Sequence, residues 1–273
     1  MTDTTTDTKD LYLLIHLPKC AGTTAETYVR STFPDAFAWP LRRRAPGRYF
    51  NRPYYRMTEN PALQTQPAVF VIGHFFGESI AAKFPGRQIK RSVLLRDPVG
   101  FLLSFYNFRV QRYMEKGMKS FPFEMWYNSQ ASNPMSDFLL NRYLELPFSR
   151  LRLMPPDERL DILTETLRSF WHVSSYRECG SLIAKIAAER NAPADFEIAN
   201  VTRTQTLAFD DLAPSMRERI VADNRVDAAL FERFCDGNTQ PVSLPDDRLA
   251  SLRREVQRPI YTLRYRVARS YGV

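Results

Sequence analysis

The chain has 273 residues, 44% hydrophobic and 13% aromatic, enough for one substantial core with appended helices. No apolar run approaches the ~20 residues of a membrane span. The three cysteines, Cys20, Cys179 and Cys235, are too few and too scattered for a disulfide framework. The only histidines are His16, His74 and His172, so no metal site is expected. The net charge of +8 suits polyanions such as nucleotides, acidic glycans, nucleic acid or anionic lipid, without choosing among them.

In chain order, residues 1–10 (MTDTTTDTKD) are polar and acidic and read as a disordered leader, with residues 11–273 as one domain. Leu11–Leu17 is an apolar run with the character of a buried strand, stopped by Pro18. Lys19, Cys20, Ala21, Gly22, Thr23 and Thr24 then lead into a helix at about 22–32. A strand, a loop of small residues with a lysine, and a helix start together build a phosphate cradle. Lys19 precedes the glycine, whereas the nucleotide-triphosphatase loop, G-x-x-x-x-G-K-[ST], places its lysine after.

Residues 34–67, rich in Pro, Arg and aromatics, read as a long excursion. A strand at 68–73 (AVFVIG) leads to His74, and one at 91–95 leads to Arg96-Asp97-Pro98. Asp97 suits an N-cap and Pro98 a first helical position, which predicts a helix over 98–114. On it Ser104 lies about 9 Å along the axis from Pro98.

Past 114 the pattern is mainly helical, at 134–146, 156–170, 177–190, 214–235 and 245–270. Short strands are expected at 171–174 and near 197–201. Strands alternating with helices predict a three-layer α/β fold: a central parallel sheet flanked by helices, P-loop-like, with a helical C-terminal half. Ligands of such sheets sit at the carboxyl ends of strands. The lysine loop, His74 and Arg96 each follow a strand, so they are expected on one edge.

HLPKCAGTT closely resembles the 5′-phosphosulfate loop of sulfotransferases that use 3′-phosphoadenosine 5′-phosphosulfate (PAPS). It is nearest to the carbohydrate (heparan-sulfate/chondroitin-type, bacterial) branch, whose loop commonly reads H-I-P-K-T-A-G-T-T, with Cys20 standing where Thr is frequent. Residues 91–109, RSVLLRDPVGFLLSFYNFR, resemble the family's 3′-phosphate motif R-D-P-x-x-R-x-x-S-x-Y-x-x-x-R, departing from it at Phe101. Residues 170–178, 198–204 and 224–235 add weaker matches, so the resemblance runs from 11 to about 236.

The resemblance implies that residues 19–24 hold the 5′-phosphosulfate and that Arg96 and Ser104 hold the 3′-phosphate. It implies that Lys19 steadies the leaving phosphate and that His74 is the general base. PAPS would be the co-substrate, no metal would be needed, and a carbohydrate, glycolipid or other hydroxyl would be the acceptor. An imidazole of ordinary pKa can take a hydroxyl proton at neutral pH. Glu78 is the alternative base or an orienting partner. His16 reads as support for the loop, His172 as structural, Cys20 as a small filler, and Arg109 as either a 3′-phosphate contact or part of a solvated face.

Two other function classes fit parts of the sequence: a P-loop-type nucleotide kinase, which lacks its G-K-[ST] element here, and a basic nucleic-acid-binding module. The second leaves both phosphate motifs as coincidence, so no nucleic-acid partner is expected. The arginines of 41–56 suit acceptor contact or a solvated face. The basic segment 245–273 reads as a helix packed with its arginines outward, with peripheral contact to an acidic membrane as the alternative. A soluble cytoplasmic protein is expected, and the oligomeric state leaves no signal in the sequence.

Overall fold

A computed structural model describes residues 9–38, 40–42, 55–57, 61–199, 206–237, 244 and 256–263. In chain order the elements are β1 (Asp10–Ile15), α1 (Gly22–Thr32), β2 (Phe37–Ala38), β3 (Pro40–Arg42), β4 (Tyr55–Met57), β5 (Ala68–Gly73), β6 (Gln88–Leu95), α2 (Pro98–Met114), α3 (Phe123–Asn128), α4 (Pro134–Phe138), α5 (Phe148–Leu153), α6 (Pro156–Arg168), β7 (His172–Ser175), α7 (Cys179–Arg190), α8 (Pro214–Asp223) and α9 (Arg225–Cys235). Residues 256–263 form one more helix. The chain divides into two compact units. The first is Met1–Leu95, Asp137–Arg152 and Leu163–Asn200; the second is Arg96–Ser136, Leu153–Ile162 and Val201–Val273.

The first unit is built on a five-stranded sheet of order β2-β5-β1-β6-β7, parallel throughout. Every residue of β1 and β5 is buried, as a parallel sheet covered on both faces requires. This is the expected α/β architecture, a central parallel sheet flanked by helices. From β1 the chain crosses to β2 on one side, and from β5 it returns past β1 to β6 on the other. The loop after β1 therefore sits at the reversal of strand order, where ligands of open α/β sheets bind. The expected strand 11–17 ends at Ile15, although the His16 N–H continues the ladder by donating to the Gly73 carbonyl at 3.1 Å.

The excursion at 34–67 contributes edge strand β2 and the β3–β4 hairpin. Of the expected arginine cluster, Arg43, Arg44, Arg48 and Arg52 lie outside the described residues. No strand occurs over 192–199, and 200–205 lie outside the described residues, as do 245–255 and 264–273 of the expected C-terminal helix.

At the amino end of the sheet, charged groups gather around the buried Asp10, one of whose carboxylate oxygens, Oδ1, has no hydrogen-bond partner among the described residues. The Asp10 carboxylate accepts from Lys90 Nζ at 3.1 Å and from Arg190, and Glu189 accepts from Lys90 Nζ and the Tyr12 hydroxyl, each at 2.6 Å. Arg87, also buried, donates to the carbonyls of Asp10, Leu63, Gln64 and Gln66.

In the second unit, α2 begins as predicted. Asp97 Oδ1 accepts from the Gly100 N–H at 2.6 Å, with Pro98 at the first position. Helix α3, unpredicted, buries Phe123, Trp126 and Tyr127, an i, i+3, i+4 set. The single helix expected over 214–235 is two. Asn224 Nδ2 donates to the Ile220 carbonyl at 2.7 Å and Asn224 Oδ1 accepts from the Asn133 N–H at 2.7 Å, so its side chain competes with the helical ladder at the break.

Asp227 lies fully buried on α9 and accepts from the Met135 N–H at 3.0 Å, the Ser136 N–H at 2.8 Å and the Ser136 hydroxyl. It satisfies donors at the start of α4 that have no helical partner. Replacing Asp227 by Ala strands these donors in a dry site. Asp227→Ala is expected to lose about 3 kcal/mol in a urea unfolding titration.

Candidate active site

The first unit assembles its site at the carboxyl ends of β1 and β5. Parallel register sets Ile15 opposite Gly73, so His16 and His74 leave adjacent strands side by side. Their rings lie with centroids 4.0 Å apart. His74 Nδ1 lies 2.5 Å from the His16 carbonyl oxygen. A carbonyl only accepts, so Nδ1 carries the proton and Nε2 keeps its lone pair. Among the described residues Nε2 has no hydrogen-bond partner. Burial holds the His74 pKa below the ordinary value, against the raising effect of the His16 carbonyl, so the ring is neutral at pH 7.

His16 is the buried member of the pair. Burial, then the charge of His74 once that ring is protonated in acid and the charge of Lys19, push its pKa down to about 3. Its Nδ1 lies 3.9 Å from Glu26, beyond hydrogen-bond reach, and has no partner among the described residues. The ring also fills the space over Gly22, where a Cβ would stand 2.0 Å from His16 Cδ2. Gly22 is therefore required by the histidine beneath it and not by its own backbone angles.

The unusual backbone belongs to Lys19 (φ 64°) and Ala21 (φ 57°), two non-glycine residues in the left-handed region. Each such residue costs about 1–2 kcal/mol, and strain of this kind collects at functional sites. Helix α1 starts at Gly22 with no side-chain cap. Among the described residues no acceptor takes the Gly22 or Thr23 N–H, so the positive end of the helix dipole is left for an anion.

Lys19 and Thr23 are half-buried, whereas Cys20 is buried. Thr24 is buried as well, and its Oγ1 accepts from the Ala199 N–H at 3.1 Å, tying the segment after α7 to α1. The Cys179 thiol donates to the Ala21 carbonyl from the other side at 3.8 Å, and burial pushes its pKa up to about 11.

The loop carrying His74 is pinned by residues that the sequence did not single out. A π-helical turn, Leu139–Tyr143, is followed by Glu145 in the left-handed region (φ 57°). Glu145 accepts from the Ser79 hydroxyl at 2.7 Å and lies where a Gly77 Cβ would be, 2.3 Å from its Oε1. Glu78, the alternative base, is engaged by Arg91 at 2.9 Å, and Arg91 also donates to the Tyr143 hydroxyl at 2.7 Å. The group that orients the His74 imidazole is the His16 carbonyl, not Glu78. His172 bonds Ser174 Oγ through Nε2 at 2.9 Å and is structural, with burial pushing its pKa down to about 4.

In the second unit, Arg96 is the residue immediately after β6, and Ser104 is half-buried on α2. Phe101, the departure from the family motif, is buried against Phe105, with centroids 6.2 Å apart. That position is spent on the core and not on a ligand. Arg109 is exposed, with its guanidinium 5.3 Å from the Phe105 ring centroid.

No protein-family profile matches the sequence, and comparison with curated proteins finds no match. Among solved structures the chain is similar to a sulfotransferase from Alicyclobacillus acidocaldarius. The likeness spans 81% of this chain and 94% of that one, at 13% identity and a TM-score of 0.43, too distant to transfer an activity. Among the described residues, no group of three His, Cys, Asp or Glu side chains is placed to hold a metal ion.

Two consequences of the His16–Gly22–His74 contact are measurable. Gly22→Ala drives His16 off its seat and hydrates His74, so the His74 pKa rises toward the ordinary 6.5, read by histidine NMR titration. His16 binds no proton in the fold until about pH 3, whereas the unfolded chain binds one near 6.5. Stability from this group is therefore present above pH 6.5 and is lost as pH falls, roughly 3 kcal/mol by pH 4. His16→Phe keeps the ring contact and removes the titration. Its denaturation midpoint is expected to fall less than that of the parent between pH 7 and pH 4.

Proposed function

We propose that the protein is a PAPS-dependent sulfotransferase that transfers a sulfuryl group to a hydroxyl, of a carbohydrate or glycolipid. The observation that carries this reading is one juxtaposition in the first unit. A strained, uncapped loop bearing Lys19 lies beside a neutral imidazole whose Nδ1 proton is held by a backbone carbonyl. The first part suits the phosphate end of a nucleotide co-substrate, and the second suits a hydroxyl that must lose its proton. The resemblance of HLPKCAGTT to the 5′-phosphosulfate loop adds support.

In this mechanism His74 Nε2 accepts the acceptor's hydroxyl proton as the oxygen attacks sulfur in line. The bond from sulfur to the bridging phosphate oxygen breaks, leaving adenosine 3′,5′-bisphosphate. Lys19 and the N–H groups of Gly22 and Thr23 face the charge gathering on that phosphate, where preorganised donors are most effective. The Thr23 hydroxyl adds a donor, and Thr24 keeps its hydroxyl proton for the same use while bonded to Ala199. Cys20 and Ala21 contribute backbone. The 3′-phosphate is assigned to Arg96 and Ser104. The burial that keeps His74 neutral at pH 7 leaves its lone pair available there.

Calorimetry is expected to detect adenosine 3′,5′-bisphosphate binding without magnesium, and tighter binding of ATP–Mg would instead favour a kinase. In a sulfate-transfer assay over glycans, glycolipids and simple alcohols, His74→Ala is expected to lose about 10²–10⁴ in turnover with nucleotide affinity unchanged. Lys19→Ala is expected to lose about 10²–10³. Arg96→Ala is expected to weaken nucleotide binding first. Full turnover by the His74 variant would move the base elsewhere.

A further inference from the structure

Of the C-terminal segment the structure describes one helix, residues 256–263. A helix packed on its domain hides its apolar stripe, but here Val256, Ile260 and Leu263 are 66%, 55% and 62% exposed. Their spacing, i, i+4 and i+7, sets them on one face of the helix. Arg258 is the charged residue within these eight. In sequence, residues 253–269 carry Arg253, Arg254, Arg258, Arg264, Arg266 and Arg269 against Glu255 alone, six positive charges minus one negative, or +5. An exposed apolar stripe within a strongly cationic segment is a surface awaiting an occupant.

We infer that this helix docks on an anionic lipid surface, lying in the interface with Val256, Ile260 and Leu263 entering the acyl boundary, drawn there by the net positive charge that the sequence carries on either side. Charge decides the occupant. A second copy would offer the same stripe flanked by the same arginines, and like charges at close range oppose pairing. Anionic headgroups meet both the stripe and the charge. With six arginines within residues 253–269 the segment has no apolar run near the ~20 residues of a membrane span, so it lies on the bilayer and does not cross it. No helix among the described residues is long and apolar enough to span a membrane. This inference is independent of the chemistry proposed for the first unit.

The test is co-sedimentation of the full chain with vesicles of phosphatidylcholine alone or mixed with phosphatidylglycerol. Binding is expected only with phosphatidylglycerol and is expected to weaken as salt rises. The variant V256S/I260S/L263S is expected to bind at least about tenfold more weakly, with its circular dichroism and nucleotide affinity unchanged. Ile260→Ser alone, a single surface change, is expected to weaken binding in the same direction. Equal binding to neutral vesicles, or unchanged binding by both variants, would overturn the inference. So would a concentration-dependent dimer in sedimentation velocity that the triple variant abolishes, because the stripe would then belong to a second copy.

Discussion

The parallel register of β1 against β5 places Ile15 opposite Gly73, and the geometry of the first unit's site follows from that pairing. The next residue on each strand is a histidine. One ring turns under the following helix and the other lies tilted against it. A shift of one residue would send both side chains to the other face of the sheet. Lys19 and Ala21 are held in the left-handed region between a fixed strand end and a helix whose first residue rests on an imidazole. The backbone strain there is carried by packing on both sides.

The two histidines divide the work between main chain and side chain. His16 presents its carbonyl to His74 and its ring to Gly22, and desolvation keeps both imidazoles neutral. A neutral ring with a fixed tautomer has one acceptor nitrogen, and which one it is follows from the bond the other nitrogen makes. Here a backbone oxygen sets the tautomer, which no side-chain substitution at position 16 removes.

Much of the first unit was legible in the sequence because its signals are local. Apolar runs bounded by Pro, Gly or charge marked β1, β5 and β6, and in the second unit Asp97-Pro98 marked the start of α2. The lysine loop was found from the order of its residues. The packing at Gly22 was not, because the missing Cβ makes room for His16, a contact that no local pattern marks. The clamp on the His74 loop was illegible. It joins Gly77 and Ser79 to Glu145, and nothing local marks Glu145 as a residue that adopts φ 57°. The Asp227 cap on α4 joins residues about ninety positions apart in the same way. The break at Asn224 needed its partner Asn133 to be seen, since Asn alone does not end a helix.

The ion cluster at the amino end of the sheet bears on the order of events during synthesis. β1 is made first, yet its Asp10 carboxylate is buried against Lys90 and Arg190, and its Tyr12 hydroxyl bonds Glu189. Until α7 leaves the ribosome, the first strand can enter the sheet only with a carboxylate short of one of its two cations. At ~5–20 residues per second, the stretch between β1 and α7 takes roughly ten seconds or more to appear. The central strand is thus the earliest to be translated and among the last to be electrostatically complete.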